Sequence, residues 1–333
     1  MNHKLVSVII PTFNRASLVV EAIRSAQAQS YPAKQVIVID DGSQDDTARI
    51  VAQFEGVEYY RQENRGQAAA RNLGLRYARG EYIASLDSDD VWNENFLTDG
   101  IECLEKHGLD FVFLNWTSSD GKENFLDFWE RKKKWRNFTA SQDKHWFLLD
   151  SEQVRRLFVE TCPSPSSSLL IRRSSFISNW NEKMIIADDW FLILEMVLSK
   201  PCRAAFTLSP YWLKRVYDDN IYDGKEVLEI TRKLGLHDER FMAQHFSPQL
   251  TDEEKNILRE RLIHHHLNFG RLSWKFEGVS KNALRGVAGA FSLAPLGFGI
   301  YISKIFINHL KNRRNIETLP NAATSKIFRP EED

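Results

Sequence analysis

Residues 81–90 read EYIASLDSDD, an apolar run that ends in Asp87, Asp89 and Asp90, three carboxylates within four residues. Carboxylates this close raise one another's cost of ionisation, and the end of a buried strand is a poor place for them unless water or a cation intervenes. Asp87 and Asp89, one residue apart, can turn two carboxylates toward one hard divalent cation. Mg²⁺ and Mn²⁺ are commonly held in this way, with phosphate oxygens and waters completing the octahedron. A D-x-D pair is equally at home in a solvated turn, so its surroundings must decide between the two.

Those surroundings are ordered. From Leu5 to about Trp116, continuous apolar, β-branched runs (LVSVIIP, QVIVID, VEYYRQ, EYIASLD, DFVFLNW) alternate with stretches of helical spacing. Continuous apolar runs mark strands covered on both faces, and strand–helix alternation predicts an α/β fold with a doubly wound, mostly parallel sheet. Ligands of such sheets bind beyond the carboxyl ends of the strands. Here those ends carry PTFNR, DDGSQDDT, RQENRG and DSDD, all able to contact a base, a ribose or a phosphate. Neither the G-x-G-x-x-G turn of dinucleotide folds nor a phosphate loop ending in Gly-Lys is present. A bound diphosphate would therefore have to be neutralised by something other than glycine-loop amides.

Composition narrows the class. The 333 residues carry 44 Lys plus Arg against 45 Asp plus Glu, a net charge of -1, which gives no global attraction to nucleic acid. Three cysteines, Cys103, Cys162 and Cys202, lack metal-type spacing and imply a reducing compartment. With no signal-peptide pattern at the N-terminus, the expected location is cytoplasmic.

The segments VSVIIPTFNR, VIVIDDGSQDDT, ENRGQAAARNLGLRYARGEYIASLDSDD, SSSLLIRRSSF and DDWFLILEM follow the order seen in family 2 glycosyltransferases, which the chain resembles from Lys4 to Asn220. The resemblance implies a GT-A fold. It also implies transfer of a sugar, with inversion, from a nucleotide diphosphate donor to an acceptor hydroxyl. By position, Pro11, Thr12, Asn14 and Arg15 would lie against the nucleoside, and Asp41 would accept from a uracil imide, favouring a UDP-sugar. Asp40 is expected to shape the turn. Arg71 would hold Asp87 or the phosphates, with Ser88 beside them. Asp87 would contact ribose or metal, and Asp89 would be the main protein ligand of Mn²⁺ or Mg²⁺. Asp90 is expected to cap the next segment. Asp189 is the implied general base, Asp188 replaces the usual Glu and faces acceptor or donor sugar, and Arg215 joins the donor site.

Two departures bear on the metal and the acceptor. Glu195 stands where many members carry Arg, and Tyr217 stands where a His is common. The resemblance places a catalytic domain over 1–222, with a nucleotide-binding half at 1–116 and an acceptor and catalytic half at 117–222. Residues 223–333 form a helical region. Consecutive His264, His265 and His266 point to different helix faces and are read as structural or solvated. The basic run Arg131–Arg136 is read as a solvated face ahead of a lipid-phosphate contact. The apolar tail from Val287 supports two readings, an interfacial amphipathic segment on an inner membrane surface and a core helix. The acceptor class implied is a surface or lipid-linked glycan. The alternatives are a non-catalytic nucleotide- or glycan-binding subunit and, with less support, a sugar nucleotidyltransferase, which would need a Gly-rich loop after the first strand.

Overall fold

The computed structural model describes residues 3–119, 141–216, 227–295 and 299, and the chain divides into two compact units, Met1–Val216 and Tyr217–Asp333. Tyr217 and the basic run Arg131–Arg136 lie outside the described residues, as does most of the apolar tail.

The first unit is built on one ten-stranded sheet. Its N-terminal half follows the alternation of the sequence. Strands β1 (Val6–Thr12), β2 (Lys34–Asp40), β3 (Val57–Arg61) and β4 (Tyr82–Ser85) pair in parallel in the order β3-β2-β1-β4. β1 is buried along its whole length because its side chains meet helices on both faces. Pairing of β1 with β4 ends at Ile9 opposite Ser85, so Pro11, which has no N–H to give, falls beyond the last rung on that side. Between the strands run α1 (Val19–Gln27), α2 (Thr47–Val51) and α3 (Gln67–Tyr77). α3 lies close on the sheet because Gly74 has no side chain. A Cβ there would come within 2.4 Å of Ile9 Cγ2. That contact presses the preceding turn of α3, which carries Arg71, toward the strand ends.

Beyond β4 the sheet becomes mixed. After β5 (Val91–Trp92) and α4 (Phe96–His107), strand β6 (Phe111–Ser118) does not join β4 directly. The later strand β9 (Leu169–Arg172) enters between them, antiparallel to both, with Ile171 opposite Ile83 on one side and Phe111 on the other. β10 (Ala204–Lys214) then runs parallel to β6, and β8 (Trp146–Leu149) and β7 (Ser141–Asp143) finish the sheet antiparallel. One face buries Val8, Ile10, Val38, Ala84, Val112 and Leu170 in a continuous core. Another aromatic layer stacks Phe113 on Phe206 and Phe147 on Phe206.

Two further helices complete the first unit. α5 (Ser151–Glu160) starts with a capping box in which Asp150 and Gln153 exchange side-chain and backbone bonds. α6 (Asp188–Ser199), DDWFLILEMVLS, is apolar on nearly every side after its two acids and is almost wholly buried. Trp190 Nε1 donates to the carbonyl of Phe158, fixing α6 against α5 at 2.8 Å.

The second unit is helical in every described stretch. α7 (Val227–Ile230) passes through a π-helical segment, Thr231–Asp238, into α8 (Glu239–His245). α9 (Asp252–Glu277) begins with a Thr251–Glu254 capping box and turns at Gly278 (φ +72°) into α10 (Lys281–Leu293). The α9–α10 hairpin is tight because glycines face each other, and a Cβ on Gly286 would meet Gly270 Cα at 2.5 Å. His265 of the histidine run bonds the buried carboxylate of Glu239, which Arg261 also holds. No described helix is long and apolar enough to cross a membrane.

Candidate active site

The carboxyl ends of β1, β2 and β4 and the start of α6 bring the acidic residues of the sequence to one edge of the first unit. Arg71 is the hub. Its side chain is 2% exposed, and its donors reach Asp188 Oδ2, Asp87 Oδ1 (2.6 Å) and Ser85 Oγ (3.1 Å). Gln67 Nε2 takes the other oxygen of Asp188 at 2.7 Å. Burial works against the charge on Arg71, but Asp188, Asp87 and Asp189 outweigh it and raise the guanidinium above its ordinary value. Asp188 thus has both oxygens engaged by protein partners, while burial pushes its carboxyl upward against the pull of Arg71.

Asp189 differs. One oxygen accepts from the Trp190 backbone N–H at 2.6 Å and the other receives a long bond, 3.3 Å, from Ser166 Oγ. Burial first, then the charge of neighbouring Asp188, pushes its carboxyl up to about 7, against the opposing pull of Arg71. A carboxylate that changes charge near neutral pH suits proton abstraction better than an ordinary Asp.

The D-x-D loop is held from beneath. Asp87 N donates to Ser167 Oγ at 3.1 Å, and Ser167 Oγ donates to Asp90 Oδ2 at 2.6 Å. Asp90 is 5% exposed, accepts from Arg215 N at 3.3 Å and is driven well above its ordinary value by burial and by Asp89 and Asp87. This corrects the expectation that Asp90 caps the next segment. The residue preceding α4 is Asn95, and Asp90 instead joins the loop to the 3₁₀ turn Ser166–Ser168. Arg215, expected at the donor, spends its guanidinium on the carboxylate of Glu21, the Asp89 carbonyl (2.7 Å) and the Leu18 carbonyl (3.2 Å). In this structure it braces the loop.

Unlike Asp87 and Asp188, which Arg71 pairs, Asp89 has no ion-pair partner among the described residues. Burial and the charge of Asp87 push it above its ordinary value, and the positive fields of Arg15 and Arg215 pull it back. No three His, Cys, Asp or Glu side chains converge on one point among the described residues. Asp87 and Asp89 offer two neighbouring carboxylates, the set that would suit Mg²⁺ or Mn²⁺ where phosphate oxygens supply the remainder. These residues fit such an ion.

The side of the site that the resemblance assigns to a nucleoside is built from the first three strand ends. The Asp41 N–H donates to the carbonyl of Thr12 at 2.8 Å. The carboxylate of Asp41 accepts from Gln62 Nε2 (2.6 Å), Arg65 N (2.9 Å) and Gly66 N (2.7 Å), so it organises the entry to α3. Asp40 accepts from Ser43 N (2.7 Å) and Tyr59 Oη (2.5 Å), the turn-shaping role its position suggested. Asn14, left-handed at φ +50°, clamps the first loop to the second through Ser43 Oγ (2.9 Å) and Gln44 N (2.8 Å). Thr12 is 3% exposed, and its Oγ1 has no hydrogen-bond partner among the described residues, an orphan polar atom beside Pro11 at the end of the central strand. Ser88 is buried in the D-x-D loop. Three participants escaped the sequence reading. Gln67, Ser166 and Ser167 lie 121, 23 and 77 positions along the chain from the acids they bond, Asp188, Asp189 and Asp90.

Residues 7–178 match the sequence model described as Glycosyl transferase family 2. The chain belongs to that family. Its curated relatives include UDP-Glc:alpha-D-GlcNAc-diphosphoundecaprenol beta-1,3-glucosyltransferase WfgD of Escherichia coli, 36% identical over 119 residues, which are 35% of this chain and 47% of WfgD. The chain spans about half or less of the length of the curated relatives it matches. Among solved structures, TarS 1–349 of S. aureus in complex with UDP-GlcNAc superposes with a TM-score of 0.62 at 19% identity, over 87% of this chain and 80% of that one. The mannosyltransferase PcManGT of Pyrobaculum calidifontis, in complex with GDP-Man and Mn²⁺, gives 0.57 at 18% identity, over 94% and 83%. The family 2 chain therefore shares the α/β glycosyltransferase fold of these proteins.

Proposed function

We propose that this family 2 chain is an inverting glycosyltransferase that moves a sugar from a UDP-sugar to an acceptor hydroxyl on a surface or lipid-linked glycan. The observation that carries the proposal is the pairing of two acid environments at one strand edge. Asp89, beside Asp87, lacks a cation partner among the described residues, and Asp189 carries a carboxyl pushed up to about 7. The first suits a nucleotide diphosphate brought with a divalent cation, and the second suits a general base.

When bound by Asp87 and Asp89, Mn²⁺ or Mg²⁺ would supply neutralisation of the charge that develops on the leaving diphosphate. This chain's own residues supply the rest. Arg71 fixes Asp87 and Asp188 in one rigid unit, so Asp189, the next residue of α6, is presented at a set height above the donor site. Asp189 takes the proton of the acceptor hydroxyl as the new bond to the anomeric carbon forms and the bond to the diphosphate oxygen breaks. Thr12 Oγ1, Asn14, Arg15 and Asp41 frame the nucleoside. The UDP-GlcNAc bound by TarS and the UDP-Glc in the name of WfgD support uridine as the base. The diphosphoundecaprenol acceptor in that same name supports a lipid-linked acceptor, which would be presented at a membrane surface.

The test is calorimetric titration of UDP and GDP, each with and without Mn²⁺, into wild type and Asp89→Asn. The expected result is UDP binding that needs Mn²⁺ and collapses in Asp89→Asn. Mn²⁺-independent binding removes the metal role, and binding of neither nucleotide overturns the donor class. Nucleotide binding without transfer to any glycan acceptor puts the non-catalytic subunit in its place.

A further inference from the structure

The helical hairpin of the second unit carries an exposed apolar surface. α10 turns Ala283, Gly286 and Ala290 into α9, as the tight Gly270–Gly286 approach requires. Its neighbouring face presents Leu284, Val287 and Phe291 at spacings of three and four residues, exposed by 63%, 40% and 51%. At the hairpin tip, Val279 is 79% exposed and Trp274 65%. Trp274 lies one turn beyond Gly270, on the side of α9 that turns toward α10. Scattered exposed apolar residues need no account, but three at helical spacing on one helix face, with an exposed tryptophan and valine near the hairpin turn, do.

The charges around this stripe are one-sided. Residues 271–285 hold Arg271, Lys275, Lys281 and Arg285 against Glu277 alone, and residues 286–293 hold no charge. Glu277 is occupied by Asn282 Nδ2. None of the four cations has a carboxylate within ion-pair distance among the described residues. A water-soluble partner groove would pair such cations with acids, whereas a cationic rim around Trp, Leu, Val and Phe matches the interface of an anionic bilayer, apolar side chains in the acyl boundary and cations at the headgroups.

We propose that the outer face of the α9–α10 hairpin is a docking surface for an anionic lipid bilayer. Trp274, Val279, Leu284, Val287 and Phe291 insert, and Lys281 and Arg285 contact lipid phosphates. This rests on, and deepens, the reading that the acceptor is presented at a membrane, because it names the part of the chain that would meet the lipid. The surface lies in the second unit, so lipid binding and nucleotide binding can fail separately.

The test is co-sedimentation of the full-length protein with vesicles of phosphatidylcholine alone and of phosphatidylcholine with about one third phosphatidylglycerol, with UDP titrated in parallel. Wild type is expected to bind the anionic vesicles and to leave the neutral ones largely free. The variant Leu284→Ser/Val287→Ser/Phe291→Ser is expected to lose binding to the anionic vesicles, and Lys281→Glu/Arg285→Glu to weaken it about tenfold. UDP binding and far-ultraviolet dichroism unchanged in both variants establish that they fold. Wild-type levels of vesicle binding in the serine variant overturn the proposal. So does a wild-type dimer, seen by light scattering, that the serine variant abolishes, which would make the face an interface between copies. Loss of UDP binding in wild type with vesicle binding intact would overturn the donor reading and leave the lipid surface standing.

Discussion

Arg71 and Asp188 form an ion pair closed to solvent at both ends, with side chains 2% and 1% exposed. A charge pair so buried is costly to break from one side, because the surviving charge keeps its desolvation penalty and loses its partner. Arg71 is also the cation of Asp87, so one guanidinium ties the D-x-D loop to the start of α6.

Arg71→Met should therefore cost about 3–5 kcal/mol of stability, with UDP affinity falling alongside it. Urea unfolding checks the first and calorimetry the second. Adding Asp188→Asn to Arg71→Met should recover part of the stability, since it removes one stranded charge. A double variant less stable than the single would mean that a stranded Asp188 charge is not what destabilises Arg71→Met.

Asp189 gives two opposite pH dependences. Its folded carboxyl is pushed up to about 7 by burial and by Asp188, whereas in the unfolded chain it titrates near pH 4. The folded state thus holds a proton between these values that the unfolded state has released. The stabilisation from this group is complete below about pH 4 and is lost as pH rises through about 7. Transfer activity runs the other way, with kcat/KM rising through that same upper value as the base ionises. Asp189→Asn should flatten the stability profile over this window and lower kcat by about 10²–10⁴-fold.

Mn²⁺ should raise the unfolding temperature of wild type and leave that of Asp89→Asn nearly unchanged, with EDTA reversing the gain. At about a hundredfold excess over Kd the stabilisation expected is about 2.7 kcal/mol. An equal shift in both proteins would place the ion elsewhere.

Ser167→Ala removes the hydroxyl that joins Asp87 N to Asp90 Oδ2 within a buried loop. The expected cost is about 1–3 kcal/mol, with weakened Mn²⁺-dependent UDP binding, because the loop that carries Asp89 loses its floor. Ser166→Ala, which removes one long bond to Asp189, should be milder in stability and should move the pH profile of kcat/KM.

Gly74→Ala should cost about 1–3 kcal/mol through overpacking against Ile9 and Ile39, although alanine favours a helix. Thermal denaturation decides it, and a neutral or stabilising result would mean that α3 can lift from the sheet. A lifted α3 would carry Arg71 with it, so activity should fall further than stability alone explains.

The parallel half of the sheet was legible because β1, β2 and β4 are apolar runs bounded by polar turns, and period alone separates them from the amphipathic α1. β9 was legible as a strand but not as the neighbour of β4 and β6, because LLIR records burial and not pairing. β10 read only in part, since Pro210 interrupts an otherwise continuous run and the register shifts around it. The acids of the site were visible by spacing. Arg71 was expected beside Asp87, but Ser167 and Gln67 were not legible as partners, because they reach Asp90 and Asp188 across sequence separations of 77 and 121 that only the folded chain closes. Arg215 shows the limit most plainly. Its type and position suggested a phosphate contact, and only the structure reveals Glu21 and the Asp89 carbonyl beside it.

The place of β9 sets the order in which this protein can be completed as it is made. Tyr82 and Arg172 meet across the β4–β9 ladder although 90 residues separate them in the chain. When β1 to β4 have left the ribosome, the open side of β4 has no strand to pair with, and β6, next in line, cannot occupy it. The exposed edge waits until Leu169–Arg172 emerges, and with that strand come Ser166 and Ser167, which bond Asp189 and Asp90. The D-x-D loop thus gains its floor only late: a nascent chain shorter than about residue 167 has Arg71 to hold Asp87 but no Ser167 beneath Asp90, and Asp188, Asp189 and Arg215 follow later still.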